Sequence, residues 1–112
     1  MEFPSQIEAV IWDLDGTLLD SFDIYYAALS EATATHDVPM PGRATTAANF
    51  HGSLQASIQA ALQIPDADLL ALVIDEFLEV QGKYYDEPDE HLFPDAVQLV
   101  RRVAKLGLPQ FL

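Results

Sequence analysis

The sequence contains no cysteine and few basic residues, and each shortage excludes a class of function. Without cysteine the chain can form neither a disulfide nor a thiolate site, which fits a reducing compartment. With 18 acidic residues against 5 basic ones, its formal charge of −13 repels polyanions. We therefore expect a cytoplasmic protein that does not bind nucleic acid.

Long apolar segments are missing as well. No apolar stretch reaches membrane-spanning length, and residues 1–9 lack the basic region and apolar run of a signal peptide. A membrane is therefore not an expected partner. The negative charge would also repel a phosphorylated substrate, so a phosphate site here would need a bound cation or backbone N–H groups.

The apolar pattern predicts a globular chain with one strand near each end and helices between them. Residues 9–12 are apolar, β-branched or aromatic, which is typical of a buried parallel strand, and residues 108–112 begin a second one. Ser53 and Asp66 are predicted helix caps, and prolines and helical spacing divide the rest. The predicted segments are helices over 21–36, from about 44, over 53–62, 66–84 and 94–107, with a linker at 86–91.

The strongest functional signal is Asp13-Leu14-Asp15-Gly16-Thr17-Leu18-Leu19-Asp20, directly after the first predicted strand. In open α/β sheets ligands bind beyond the carboxyl ends of the strands, where Asp13 and Asp15 would project. Two carboxylates there suit phosphoryl transfer, one as nucleophile and the other as proton donor. The alternatives are a solvated turn and a calcium loop. Leu19 and Ile24 would occupy ligand positions of a calcium loop, which excludes it.

This motif resembles the first signature of the haloacid dehalogenase superfamily, DxDGT followed by an apolar pair and Asp. The resemblance implies that Asp13 attacks phosphorus to give an aspartyl-phosphate, and that Asp15 protonates the leaving oxygen and later deprotonates water. It also implies a Mg²⁺ site at the Asp13 carboxylate and the Asp15 backbone carbonyl. Members that dehalogenate carbon lack the second acid, so Asp15 favours a phosphatase or a phosphomutase.

The resemblance further implies an α/β fold: a Rossmann-like core, incomplete in this chain, with an inserted α-helical cap, as in phosphoglycolate phosphatase-like proteins. The expected divisions are 1–20 for the first core strand and catalytic loop, 21–87 for the cap, and 88–112 for the return linker, a core helix and the start of the second core strand. The family's Ser or Thr on the second strand, its basic phosphate clamp and its later acidic ligands have no counterpart before Leu112. We therefore expect this chain to be part of a longer protein.

Four further residues are candidates for substrate binding. Thr17 supplies a hydroxyl in the motif, and Arg43 could reach an anionic group. His51 and Gly52 lie where caps of the family carry a loop that closes over the substrate. The alternative interpretation is a surface arginine and an ordinary helix N-terminus.

Together these features predict a Mg²⁺-dependent phosphate-monoester hydrolase that acts on a small phosphorylated metabolite. One alternative is a phosphomutase of the same superfamily. Another is a non-catalytic fragment or interaction module that self-associates through its incomplete core, because unpaired strand edges and uncovered apolar faces favour association.

Overall fold

The computed structural model describes residues 6–112, apart from the side chains of Pro88 and Asp89. Residues 1–5, which begin the predicted segment 1–20, lie outside the described residues. A 3-10 helix at Pro88–His91 precedes the last helix. The other elements are β1 (Val10–Ile11), α1 (Ser21–Thr35), α2 (Arg43–Ala48), α3 (Leu54–Leu62), α4 (Ala67–Asp86), α5 (Pro94–Lys105) and β2 (Gln110–Phe111).

The chain divides into two compact units. One comprises Met1–Ser21, described from residue 6 onward, together with Pro88–Leu112, and it contains both strands and α5. The other is Phe22–Glu87, which is helical.

The first unit is organised around two parallel strands. Val10 lies opposite Gln110 and Ile11 opposite Phe111. The Val10 N–H donates to the Pro109 carbonyl at 3.0 Å, and the Trp12 N–H donates to the Phe111 carbonyl at 2.8 Å. Parallel pairing of two strands joined by a helical connection is an α/β arrangement, although most of the described chain is helical.

The prediction that the first strand is buried is wrong for Ile11, whose side chain is 79% exposed. Register partners in a parallel pair point to the same face of the sheet, so Ile11 shares its face with Phe111, which is 58% exposed. Both residues are therefore mostly uncovered by the described part of the chain. An apolar run indicates a strand that can be buried on both faces, but it does not supply the layer that covers it.

The helical unit has its own hydrophobic core. Helices α1, α3 and α4 contribute to it, and the packing of their apolar stripes accounts for most of their stability, since short isolated helices are marginal in water. Its buried members are Tyr25, Ala28, Leu29, Ala32, Ile58, Ile64, Val73, Phe77 and Val80.

Tyr25 lies at the centre of an aromatic group within this core. Its ring packs edge-on against Phe77, with centroids 5.5 Å apart, and lies 4.6 Å from the ring of Phe50. Its hydroxyl has no hydrogen-bond partner among the described residues. Burial raises the pKa of the Tyr25 phenol, because the ionised form would lose its hydration. The side chain therefore acts in the core as a neutral ring.

Side-chain caps fix the starts of α3 and α4, as the sequence predicts. The Ser53 hydroxyl accepts from the Ala56 N–H at 3.1 Å. The Asp66 carboxylate accepts from the N–H groups of Asp68 and Leu69 at 2.9 and 3.3 Å. Each cap satisfies backbone donors that have no partner inside the helix.

The linker predicted at 86–91 is more regular than expected. Helix α4 continues to Asp86, and Pro88–His91 forms a 3-10 helix. A 3-10 turn closes within three or four residues and requires no apolar period, so the hydrophobic pattern gives no sign of it.

By itself, no helix in the described part of the chain is long and apolar enough to cross a membrane. Helices α3 and α4 meet that criterion only as a pair, and the pair is bent by 119°.

Asp66→Ala is expected to lower the free energy of unfolding by about 1 kcal/mol, because it removes an N-cap that serves two backbone donors of α4. Asp75→Ala is the matched control, since Asp75 is exposed within the same helix and its substitution removes the same charge. Urea denaturation followed by far-ultraviolet circular dichroism measures both changes. Equal losses for the two variants would show that charge, and not capping, stabilises the helix.

Candidate active site

The motif loop after β1 is a tight, internally bonded turn. The Leu14 carbonyl accepts from the N–H groups of Leu18 and Leu19, each at 3.0 Å, and the Gly16 N–H donates to the Leu19 carbonyl at 2.9 Å. Gly16 has φ +77°, a left-handed conformation that glycine adopts without the strain of a Cβ atom. The glycine of the motif therefore allows the chain to reverse within a few residues of the strand.

Backbone hydrogen bonds from residues 91–93 hold the far end of the motif loop. Leu19 pairs with Leu92 in an antiparallel bridge. The Phe93 N–H donates to the Leu18 carbonyl at 2.9 Å, and the Asp20 N–H donates to the His91 carbonyl at 2.7 Å. Leu19 itself is only 1% exposed, so the far end of the loop is anchored both by packing and by backbone pairing.

Three polar side chains of the motif lie together on this loop. Asp13 follows the carboxyl end of β1 by two residues, and Asp15 and Thr17 follow at alternate positions. All three are exposed. Neither carboxylate makes a hydrogen bond or ion pair to another residue in the range 6–112. Two unpartnered carboxylates at a strand end can act as a nucleophile and as an acid or base.

The oxygen atoms of this loop suit a hard divalent cation. The Asp13 carboxylate and the Asp15 backbone carbonyl are oxygen donors of the type that Mg²⁺ prefers. Among the residues whose side chains the structure describes, no group of three or more acidic, histidine or cysteine side chains is arranged to hold a metal ion. The donors present therefore fit Mg²⁺ in their chemistry and would supply part of a coordination sphere, since Mg²⁺ commonly keeps several waters.

The other predicted substrate contacts lie in the helical unit, on segments distant in sequence from the motif. The Arg43 guanidinium donates to the Asp23 carboxylate at 2.9 Å and lies 5.2 Å from the ring centroid of Phe22. This pair links the start of α2 to α1. Because Asp23 already balances its charge, Arg43 has less capacity to bind an anion than the sequence alone indicates.

His51 and Gly52 lie between α2 and α3. The Ser57 hydroxyl, which is buried, donates to the His51 carbonyl at 2.8 Å and accepts from the His51 N–H at 3.2 Å. The backbone of His51 is thereby tied to α3 while its imidazole is exposed. Gly52 has φ +78°, which permits the turn into the Ser53 cap.

Sequence reasoning missed Gln110, whose side chain contacts the strand that leads into the motif. The Trp12 indole N–H donates to its carbonyl oxygen at 2.7 Å. The signal available in the sequence was a single amide side chain in the otherwise apolar run 108–112.

Comparisons with known proteins agree with the motif. Residues 7–112 match the family model of haloacid dehalogenase-like hydrolases. The chain is 29% identical over 106 residues to a phosphoglycolate phosphatase of Photorhabdus laumondii, in an alignment that covers 92% of this chain and 45% of that protein. The chain thus spans less than half the length of this relative. No solved structure matches the chain significantly.

Proposed function

The chain belongs to the haloacid dehalogenase-like hydrolases, and on that premise we propose that it contributes the nucleophile of a Mg²⁺-dependent phosphate-monoester hydrolase. The observation that carries this proposal is the exposed Asp13 and Asp15 pair on a rigidly bonded loop at the carboxyl end of β1. We propose a small cytoplasmic phosphorylated metabolite as the substrate. The phosphoglycolate phosphatase similarity makes 2-phosphoglycolate the first compound to test.

In the proposed reaction an Asp13 carboxylate oxygen attacks phosphorus, and the bond from phosphorus to the ester oxygen breaks. Asp15 gives its proton to the departing oxygen, so the alcohol leaves neutral. Asp15 then takes a proton from water, whose oxygen attacks phosphorus and releases phosphate from Asp13. A bound Mg²⁺ would supply positive charge that offsets the negative charge of the phosphoryl group and of the chain as a whole.

We further propose that the helical unit is the cap of this enzyme. The division of the chain at Ser21 and Glu87 supports this assignment, because the helical unit is inserted directly after the motif loop. Thr17 on the loop, and His51 and Gly52 between α2 and α3, are the proposed substrate contacts. Arg43 is the weaker candidate, since its guanidinium already pairs with Asp23.

The full protein that contains this chain is expected to release inorganic phosphate from 2-phosphoglycolate or an aryl phosphate with Mg²⁺, and to lose that activity with EDTA. The reason is that phosphoryl transfer depends on positive charge around the phosphate, which this acidic chain lacks. The polypeptide of residues 1–112 should be nearly inert, because the described motif loop carries no basic side chain.

A phosphate-release assay, with an aryl phosphodiester as the control substrate, distinguishes the possibilities. Turnover that persists in EDTA would contradict the metal dependence. Transfer of the phosphoryl group to a second position of a sugar phosphate, without release of phosphate, would indicate the phosphomutase instead.

A second candidate function, an interaction module, is favoured by the exposed apolar side chains of Ile11, Phe111 and Leu112. Such a face promotes association because burying it removes apolar surface from water. Residues 1–112 are then expected to elute from a sizing column as a larger species at high concentration, and Ile11→Lys should restore the monomer. A wild-type chain that elutes as a monomer at every concentration would rule out this function.

A further inference from the structure

Gln110 makes two side-chain hydrogen bonds that connect three parts of the first unit. Its carbonyl oxygen accepts from the Trp12 indole N–H at 2.7 Å. Its amide nitrogen donates to the Val100 backbone carbonyl in α5 at 3.1 Å. Since Trp12 directly precedes Asp13, this side chain links the residue next to the nucleophile with both β2 and α5.

The pairing of β1 and β2 alone fixes Trp12 and Asp13 with few hydrogen bonds. Each strand is only two residues long, and the last ladder bond before Asp13 is the one from the Trp12 N–H to the Phe111 carbonyl. The Gln110 side chain adds a bond to the same residue from the same partner strand. An indole held at its N–H leaves its residue fewer conformations, because the two side-chain torsions of tryptophan are then fixed.

We propose that Gln110 is a positioning residue for Asp13, acting through the indole of Trp12. The inference rests on the proposed function only in assigning the nucleophile; the bond itself is a property of the fold. Gln110 fixes the Trp12 side chain and, with it, the end of β1 from which the carboxylate projects. Its bond to Val100 orients the amide so that the carbonyl oxygen faces the indole.

Two substitutions separate the bond to Trp12 from the bond to α5. Gln110→Met keeps a similar shape but removes both bonds. Gln110→Glu keeps an acceptor for the indole N–H and loses the donor to Val100, because a carboxylate only accepts. Gln98→Met is the matched control, since Gln98 is exposed on α5.

The chain contains one tryptophan, so its indole N–H gives a single nuclear magnetic resonance signal. In Gln110→Met this signal should move toward the position of an unbonded indole, and the Trp12 backbone amide should exchange about fivefold faster, the effect of losing one typical hydrogen bond. Gln110→Glu should retain the bonded signal, and Gln98→Met should change neither quantity. In the full protein the rate of phosphoenzyme formation should fall about fivefold in Gln110→Met, with recovery in Gln110→Glu.

Two results would overturn the proposal. An indole signal and amide exchange rate that are unchanged in Gln110→Met would show that the bond does not hold Trp12. Equal loss of phosphorylation rate in Gln110→Met and Gln110→Glu would show that Gln110 acts only as a tether to α5. If the resonance changes occur as expected but the wild-type protein forms no phosphoenzyme, the positioning of Trp12 stands and the proposed function fails.

Discussion

Asp13→Ala is expected to abolish the covalent phosphoenzyme, whereas Asp15→Ala should still form it from a donor with a good leaving group. Only Asp13 forms the bond to phosphorus in the proposed mechanism, so its loss should lower the phosphorylation rate by roughly 10³-fold or more. Asp15 moves protons, and a leaving group that departs as a stable anion needs no proton. The intermediate in Asp15→Ala should nevertheless persist, because its attacking water then lacks a general base.

Rapid-quench trapping with a labelled acyl phosphate measures both variants in the full protein. Glu8→Gln is the matched control, because Glu8 is an exposed carboxylate in the same unit and its substitution removes the same charge. Label at the wild-type level in Asp13→Ala would mean that Asp13 is not the nucleophile. Rapid loss of label in Asp15→Ala would instead assign the second proton transfer to another group.

The helices were the most predictable part of this fold, because their ends are fixed by local chemistry. The side chains of Ser53 and Asp66 accept hydrogen bonds from backbone N–H groups no more than three residues away, so each cap can be identified from a short stretch of sequence. Pro94 likewise marks the first turn of α5. The end of α4 was harder to place, since residues 85–87 carry neither a glycine cap nor an apolar period.

Burial was less predictable than secondary structure, since it depends on which layers pack together. In α4 the apolar residues Leu70, Ile74 and Leu78 follow one another at a spacing of four, which is the spacing of one helix face, yet Leu78 is 48% exposed. Val73 and Phe77, which have the same spacing on a neighbouring face, are fully buried. Periodicity shows that a helix has an apolar side, but the width of the buried stripe is set by its neighbours. Ile11 illustrates the same point for a strand.

The motif loop could be predicted because its residues are contiguous. The contacts that hold the strand before it join residues far apart in sequence. Trp12 and Gln110 meet only through the parallel pairing of β1 and β2, and a sequence pattern carries no direct record of register. The pairing of Arg43 with Asp23 also depends on the packing of two helices. Each of these contacts lies within one unit and joins residues that are distant in sequence, so a local sequence pattern does not predict it.

The helical unit contains a fully buried aromatic side chain and a solvent-exposed ion pair. Phe77 lies on α4, is fully buried and packs against the Tyr25 ring of α1. By contrast, the pair of Arg43 and Asp23 lies at the surface, with side chains 50% and 39% exposed, where solvent screens the attraction. The stability of the unit should therefore respond far more to the loss of Phe77 than to the loss of that ion pair.

Phe77→Ala is expected to lower the free energy of unfolding by about 3–5 kcal/mol, because it removes a buried ring and leaves a cavity beside Tyr25. Small domains have only about 5–15 kcal/mol in total, so the helices of this variant should unfold at a markedly lower urea concentration. Leu72→Ala is the matched control on the same helix, since Leu72 is 53% exposed, and it should change stability by less than about 1 kcal/mol. Circular dichroism at the helix band follows mainly this unit, which contains α2, α3, α4 and nearly all of α1, whereas fluorescence of Trp12 follows the other unit, which contains the motif loop and α5. A Phe77→Ala transition that shifts no further than that of Leu72→Ala would show that this core does not stabilise the helices.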